Sequence, residues 1–354
     1  MGPSAGPSGT EVRQVLNPLK TLVLNVTLQC PLRCAHCCFS SDMFKGGCLS
    51  AADVELAITQ ASRTPALDTV CFVGGDPLLH PALVADGIAF AASLGLKTSI
   101  TTSAFWAKSP EKARSVLSDL RAAGLTDVTI SYDDAHAAFV RESYIANAVA
   151  EARALGIKVR VAVVVETGSI ITADSLRKSL GLEGDRSVKV YQTVANSTGR
   201  AAETAAGAVD RPVAHPDAYR GPCQSVLNTV EIDHEGGIRP CCGVLPHHDA
   251  LAIGHIHGNG IGEAINAAAA DPLFRWISLE GPVAILAQVT ADDETPLRRE
   301  DFDGICTACD LLFGNPALLA RVRAAAELRR ERIGHIESLL MRVAQGQREM
   351  VAAE

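Results

Sequence analysis

Three cysteines, Cys30, Cys34 and Cys37, stand in the spacing C-x3-C-x2-C near the start of this 354-residue chain. A cubane iron–sulfur cluster has four irons, so three thiolates leave one iron without a protein ligand, much as catalytic zinc sites keep an open position. The same spacing also occurs in zinc knuckles. A second set, Cys223, Cys241, Cys306 and Cys309, offers four thiolates. Four saturate a cluster, and they equally suit a structural zinc, because tetrahedral sulfur fits both metals. Cys242 competes with Cys241 for the second place in that quartet, and the glycine spacing favours Cys241. Eleven cysteines in all fall in these two regions, with none between Cys71 and Cys223. Such clustering points to metal ligation rather than to scattered core use.

Composition limits the remaining possibilities. A net charge of −8 argues against a nucleic-acid-binding surface, which is ordinarily basic. No apolar run approaches the roughly 18–20 residues that span a bilayer, and the opening MGPSAGPSGT lacks the charged and apolar regions of a signal peptide. Residues 1–18 read as a flexible Gly/Pro/Ser tail. A cytoplasmic location follows, where thiols stay reduced and disulfides do not account for the cysteines.

The elements that position these residues alternate. Strands are expected near 21–27, 68–73, 96–101, 127–132, 157–165 and 188–192, with helices between them near 51–62, 81–94, 110–123, 136–154 and 171–181. Near-continuous apolar strands alternating with helices predict an α/β domain over 19–195, with a parallel sheet under helices. Six strands are fewer than the eight of a full barrel, and the chemistry of such sheets sits at the C-terminal strand ends. From 196 to 315 the pattern changes. VLNTVEID, the turn HEGG and IRPCCG read as a β-hairpin, followed by a helix near 261–279 and an acidic loop leading to Cys306-x2-Cys309. Residues 316–354 read as one C-terminal helix.

C30-x3-C34-x2-C37 at the end of a first strand resembles the signature of the radical S-adenosylmethionine (SAM) superfamily. The resemblance implies a partial (β/α)6 TIM-type barrel and a [4Fe–4S] cluster on Cys30, Cys34 and Cys37 with SAM on the open iron. It also implies cleavage of SAM to a 5′-deoxyadenosyl radical. His36 holds the place of a residue beside the adenine. Gly74-Gly75-Asp76-Pro77 resembles the GGEP turn whose backbone meets the SAM amino group, glycine allowing close approach. Thr101, Thr102, Ser131 and Asp133 lie at strand ends that contact ribose and methionine carboxylate in the family, and each also suits helix capping. His136 reads as a capping or packing residue. The second cysteine set resembles the twitch domain, a shortened SPASM domain of α+β type, and implies one auxiliary [4Fe–4S] cluster. The Gly199-Arg200-Ala201 linker adds to this likeness.

Maturases of ribosomally synthesised peptides share this layout. The resemblance therefore implies hydrogen abstraction from a peptide substrate, leading to epimerisation, cyclopropane formation, a cross-link or a thioether. An external electron donor such as a flavodoxin or ferredoxin is implied too. Dehydrogenation of a sugar or aminocyclitol hydroxyl is the alternative. Cys38 and Cys48, just past the first cluster, are candidate hydrogen donors or small packing residues, and Cys71 is expected in the core. The four histidines between 247 and 257 read as surface or supporting residues rather than ligands. A separate protein, or the helix from about 317, could recognise a leader peptide, although that helix is expected rather to coat the barrel opening.

Overall fold

The structure, a computed structural model, describes residues 19–205 and 220–352; the expected tail of 1–18 lies outside the described residues. Six parallel strands form the first part: β1 (Thr21–Asn25), β2 (Thr69–Val73), β3 (Lys97–Thr102), β4 (Asp127–Ser131), β5 (Lys158–Val165) and β6 (Val188–Val194). They lie in sequence order across one sheet. Their side chains alternate between two environments. Leu22, Leu24, Val70, Phe72, Ile100, Val128, Ile130, Val161 and Val163 are fully buried on the helix-covered face. Val23, Cys71, Val73, Thr101, Ser131, Ala162 and Val164 line an interior cavity. This is the expected partial barrel. Cys71 is only half-buried and faces the cavity, so its expected core position is corrected: the apolar strand has two faces, and this one is hollow.

The helices that follow the strands are α1 (Ala51–Ser62), α2 (Pro81–Ser93), α3 (Pro110–Ala123), α4 (Asp134–Ala137), α5 (Glu142–Ala154) and α6 (Ala173–Ser179). Ser50 and Asp53 close a capping box on α1. Ser109 caps α3, whose far end stops on Gly124 at φ 117°. The single helix expected over 136–154 is two, α4 and α5, separated at 138–141.

After the short α7 (Arg200–Ala205), the hairpin β7 (Thr229–Ile232) and β8 (Gly237–Arg239) does not stand apart. β7 pairs in parallel with β1, Thr21 opposite Thr229 and Leu24 opposite Ile232. β9 (Gly254–His255) follows on β8, giving one nine-stranded sheet. Asp233 shapes the hairpin turn by accepting from the Glu235 and Gly237 amides, and it pairs with Arg239 at 2.9 Å.

Helices complete the chain: α8 (Gly260–Ala270), α9 (Pro272–Leu279), α10 (Pro282–Val289), α11 (Ile305–Gly314), α12 (Pro316–Leu328) and α13 (Arg330–Ala352). The helix expected over 261–279 breaks at Asp271, which caps the Pro272 start of α9. The C-terminal helix expected over 316–354 is likewise two helices. These dock on α9: Arg329 covers Trp276 at 4.6 Å, and Arg275 pairs with the buried Glu337. No single helix is long and apolar enough to cross a membrane; α11 and α12 pass such a test only together, across a 106° bend.

Candidate functional site

Beyond β1 the chain turns back on itself, and Cys30 N–H bonds to the Asp42 carbonyl at 3.1 Å. The loop between them holds the first cysteine trio. Backbone amides point at two of its sulfurs: Leu32 N–H to Cys30 Sγ at 3.4 Å and Ser41 N–H to Cys37 Sγ at 3.3 Å. Burial pushes the Cys30 thiol up to about 12 and raises Cys34 as well. All three cysteines open onto one cavity of about 490 Å³ enclosed by the strand ends, a size that suits a small-molecule cofactor.

Arg200 locks this loop from behind. Its guanidinium donates to the Cys34 carbonyl at 2.8 Å and the Ser41 carbonyl at 2.7 Å, and its amide donates to Cys37 O at 3.0 Å. Gly199 has φ +54°, and a Cβ there would lie 2.1 Å from the Cys38 carbonyl. Gly74 and Gly75 are needed for a similar reason. A Cβ at Gly75 would meet Gln29 O at 2.1 Å, and one at Gly74 would meet Thr27 O at 2.5 Å. The turn after β2 is thus pressed against the segment leading into Cys30, with Gly75 N–H bonded to Thr27 O and Asp76 N–H to Gln29 O.

Several expected cofactor-binding side chains are committed elsewhere. Asp76 is fully buried and is not among the cavity-lining residues. Its carboxylate accepts from Thr102 Oγ1 at 3.0 Å, Ser103 N at 2.8 Å, Ser103 Oγ at 2.7 Å and Leu78 N at 3.1 Å. It braces one strand end against the next. Thr102 lines the cavity, but its hydroxyl donates to Asp76 and accepts from Trp106 Nε1. Asp133 lies under the cavity wall, accepting from His36 Nε2 at 3.0 Å, His136 Nδ1 at 2.8 Å and the amides of Ala135 and His136. Burial raises its pKa, but the hydrogen bonds and charges of His136 and His36 outweigh that, holding the carboxyl far below the usual range. Burial likewise opposes charge on His36, yet Asp133 raises its pKa above the ordinary imidazole value. Thr101, Ser131, Gly74, Gly75, His36 and His136 line the cavity, so His136 has an orienting partner as well as a packing one.

The second cysteine set lies beside the first. Cys223, Cys241, Cys306 and Cys309 are half-buried and close enough to act on one another: Cys309 is raised by burial and then by Cys223, Cys306 and Cys241. Cys242 faces away from them. It lines the reaction cavity with Cys38, Cys71 and Glu231. Burial and then the Glu231 carboxylate push its thiol up to about 12, leaving it protonated at neutral pH. Adjacent cysteines thus serve two places. Of the two donor candidates, Cys38 lines the cavity and Cys48 does not; Cys48 is exposed in the loop bridged to Thr27.

Sequence reasoning missed Cys242 as a cavity thiol, and it missed Glu231. This carboxylate, only 2% exposed, accepts from Asn25 Nδ2 at 3.1 Å and bonds His247 Nε2 at 2.9 Å. His248 pairs with Asp310, and His257 with Asp53; these are the supporting roles expected of the loop histidines.

Comparison with known proteins gives this geometry a family. The radical SAM superfamily pattern matches residues 24–170. The protein named "Putative peptide biosynthesis protein YydG" of Bacillus subtilis (strain 168) is 22% identical over 309 residues, covering 84% of this chain and 92% of that one. The PqqA peptide cyclase of Rhodopseudomonas palustris (strain ATCC BAA-98 / CGA009) is 33% identical over 121 residues, covering 34% of this chain and 30% of the cyclase. Among solved structures, native anSMEcpe with bound AdoMet superposes with a TM-score of 0.52 at 12% identity, over 91% of this chain and all of that one, and shares the fold. The first cysteine loop and the strand ends that enclose the cavity as far as β5 therefore fall within residues 24–170, the stretch that matches the radical SAM superfamily.

Proposed function

We propose that the chain modifies a peptide by inverting a carbon centre, with Cys242 as the hydrogen donor. The observation that carries this reading is the free Cys242 thiol, which lines the same cavity as Cys30, Cys34 and Cys37. In this reading Cys30, Cys34 and Cys37 hold the SAM-binding [4Fe–4S] cluster, and Cys223, Cys241, Cys306 and Cys309 hold an auxiliary one.

Bound there, cluster and SAM supply a 5′-deoxyadenosyl radical, which removes a hydrogen atom from an unactivated carbon. The protein's own residues then decide the outcome. Gly74 and Gly75 bring backbone to the cofactor, while Thr101 and Ser131 offer hydroxyls at the strand ends. Asp133 sets the orientation of His36. Cys242 returns a hydrogen atom to the substrate carbon, so no bond is lost or gained on the peptide. The relatives support a peptide as substrate: one is named for peptide biosynthesis and another is a peptide cyclase.

The test is an anaerobic reaction of the reconstituted enzyme in deuterated water. Its probe is a synthetic peptide translated from the nearest short reading frame. A D-residue carrying one solvent deuterium is expected, and Cys242→Ala should cleave SAM without inverting that residue. Inversion by Cys242→Ala, a product two hydrogens lighter, or no modification of the peptide overturns the reading.

A further inference from the structure

We infer that Glu231 and His247 form a proton conduit that re-forms the Cys242 thiol after each turnover, a step that rests on the peptide-inverting reading above. The reaction cavity has a neighbour. A second cavity of about 280 Å³, lined by Phe39, Asp233, His234, Arg239, His247 and Asp249 among others, lies on the far side of Phe39, which borders both. Glu231 faces the first cavity and His247 the second. The two side chains are hydrogen-bonded at 2.9 Å, so a single donor–acceptor contact joins the first cavity to the second.

The pair is placed by the sheet. Register puts Glu231 of β7 beside Val23 of β1, another cavity-lining residue. Packing does not explain an acid here. Burying a carboxylate costs several kcal/mol (order of magnitude), and an apolar residue of similar size fills such space at no such cost. His247 is held in turn by the Phe39 ring at 4.8 Å and by His234, whose ring lies nearly parallel at 6.0 Å. Glu231 is also the one carboxylate among the described residues lining the reaction cavity. The imidazoles there, His36 and His136, are already tied to Asp133.

The chemistry requires such a path. When Cys242 gives its hydrogen atom to the substrate carbon, one S–H bond breaks, one C–H bond forms and a sulfur radical remains. Restoring the thiol takes one electron and one proton: Cys242–S• + e⁻ + H⁺ → Cys242–SH. The electron comes from the low-potential iron–sulfur or flavin protein that already feeds the enzyme. Glu231 delivers the proton. His247 replaces it through their shared hydrogen bond, and water in the second cavity recharges His247.

The experiment follows inversion of the same synthetic peptide by the reconstituted holoenzyme, with dithionite as reductant, from the first turnover onward. For Glu231→Gln a burst of one inversion per enzyme is expected. The steady phase that follows should be about tenfold to a hundredfold slower than in wild type. His247→Gln should behave alike, and Glu231→Asp should recover most of the steady rate. In wild type a solvent deuterium isotope effect is expected on the steady phase. A Glu231→Gln steady phase equal to wild type overturns the conduit. So does a variant with full iron content that has lost the burst as well. Failure of the underlying reading is seen separately, in wild type and Cys242→Ala, as inversion without the thiol or without solvent deuterium.

Discussion

Arg200 donates from its guanidinium to the carbonyl oxygen of Cys34 at 2.8 Å, tying the segment after β6 to the middle of the first cysteine loop. Its other nitrogen reaches Ser41 O at 2.7 Å, so one planar fork ties the middle of the loop to its far end. Lysine has a single point of charge and cannot span both. Arg200→Met should lower stability by about 3 kcal/mol, from two charge-assisted hydrogen bonds. It should also weaken the change that SAM produces in the electron paramagnetic resonance spectrum of the reduced enzyme. Arg200→Lys should fall between. A Met variant with an unaltered spectrum counts against this role.

Cys306 and Cys309 should be separable from the first trio. On the proposed assignment of two four-iron clusters, their double replacement by Ala should remove about half of the iron, because the auxiliary one would lose two ligands. Cleavage of SAM should persist, uncoupled from peptide modification. Iron analysis after anaerobic reconstitution decides it, and full retention of iron refutes the auxiliary-cluster assignment.

Gly75→Ala is expected to be severe for its size. The added methyl meets the Gln29 carbonyl at 2.1 Å, and that backbone has no flexible end to yield. A loss of about 2–3 kcal/mol is expected from overpacking, read as a lower midpoint in denaturant, together with poorer iron loading because Cys30 is the next residue along.

The Asp133 carboxylate carries a pH dependence with two limits. Its own pKa is depressed, so its contribution is complete above the unfolded carboxylate pKa of about 4 and fades as pH falls towards the folded value. His36 has a raised pKa, so its contribution is complete below the unfolded imidazole pKa of about 6.5 and fades as pH rises through the folded value. Asp133→Asn should therefore cost most between about pH 4 and 6.5, on the order of 3 kcal/mol. The gap to wild type should narrow on both sides of that window. Thermal unfolding across the pH range measures it, and a gap constant with pH contradicts it.

Much of this architecture was legible in the residues. The alternation of β-branched runs with capped helices marks the six parallel strands, and the capping box Ser50–Asp53 sits where its pattern implies. What the pattern hid was the third dimension. The family resemblance implies Asp76 and Asp133 as ligand contacts, yet neighbouring segments place Thr102, Ser103, His36 and His136 around them, and their charge is absorbed there. Cys71 and Phe72 look alike in an apolar run, although one faces a hollow and the other a helix layer. The Asn25–Glu231 contact was invisible because it depends on β7 joining β1, a pairing between segments some two hundred residues apart. Breaks at Asp271 and Arg329 escaped notice because helical residues continue on both sides.

The parallel seam between β1 and β7 has a practical meaning for engineering. The rear portion of the chain is not a detachable cassette, since exchanging it with that of a relative transplants a strand as well as a cysteine quartet. Chimeras that keep Thr21 facing Thr229 should retain both cysteine sets in their mutual spacing. Grafts slipped by one residue along that seam turn Glu231 to the opposite face and bring Ile232 inward in its place.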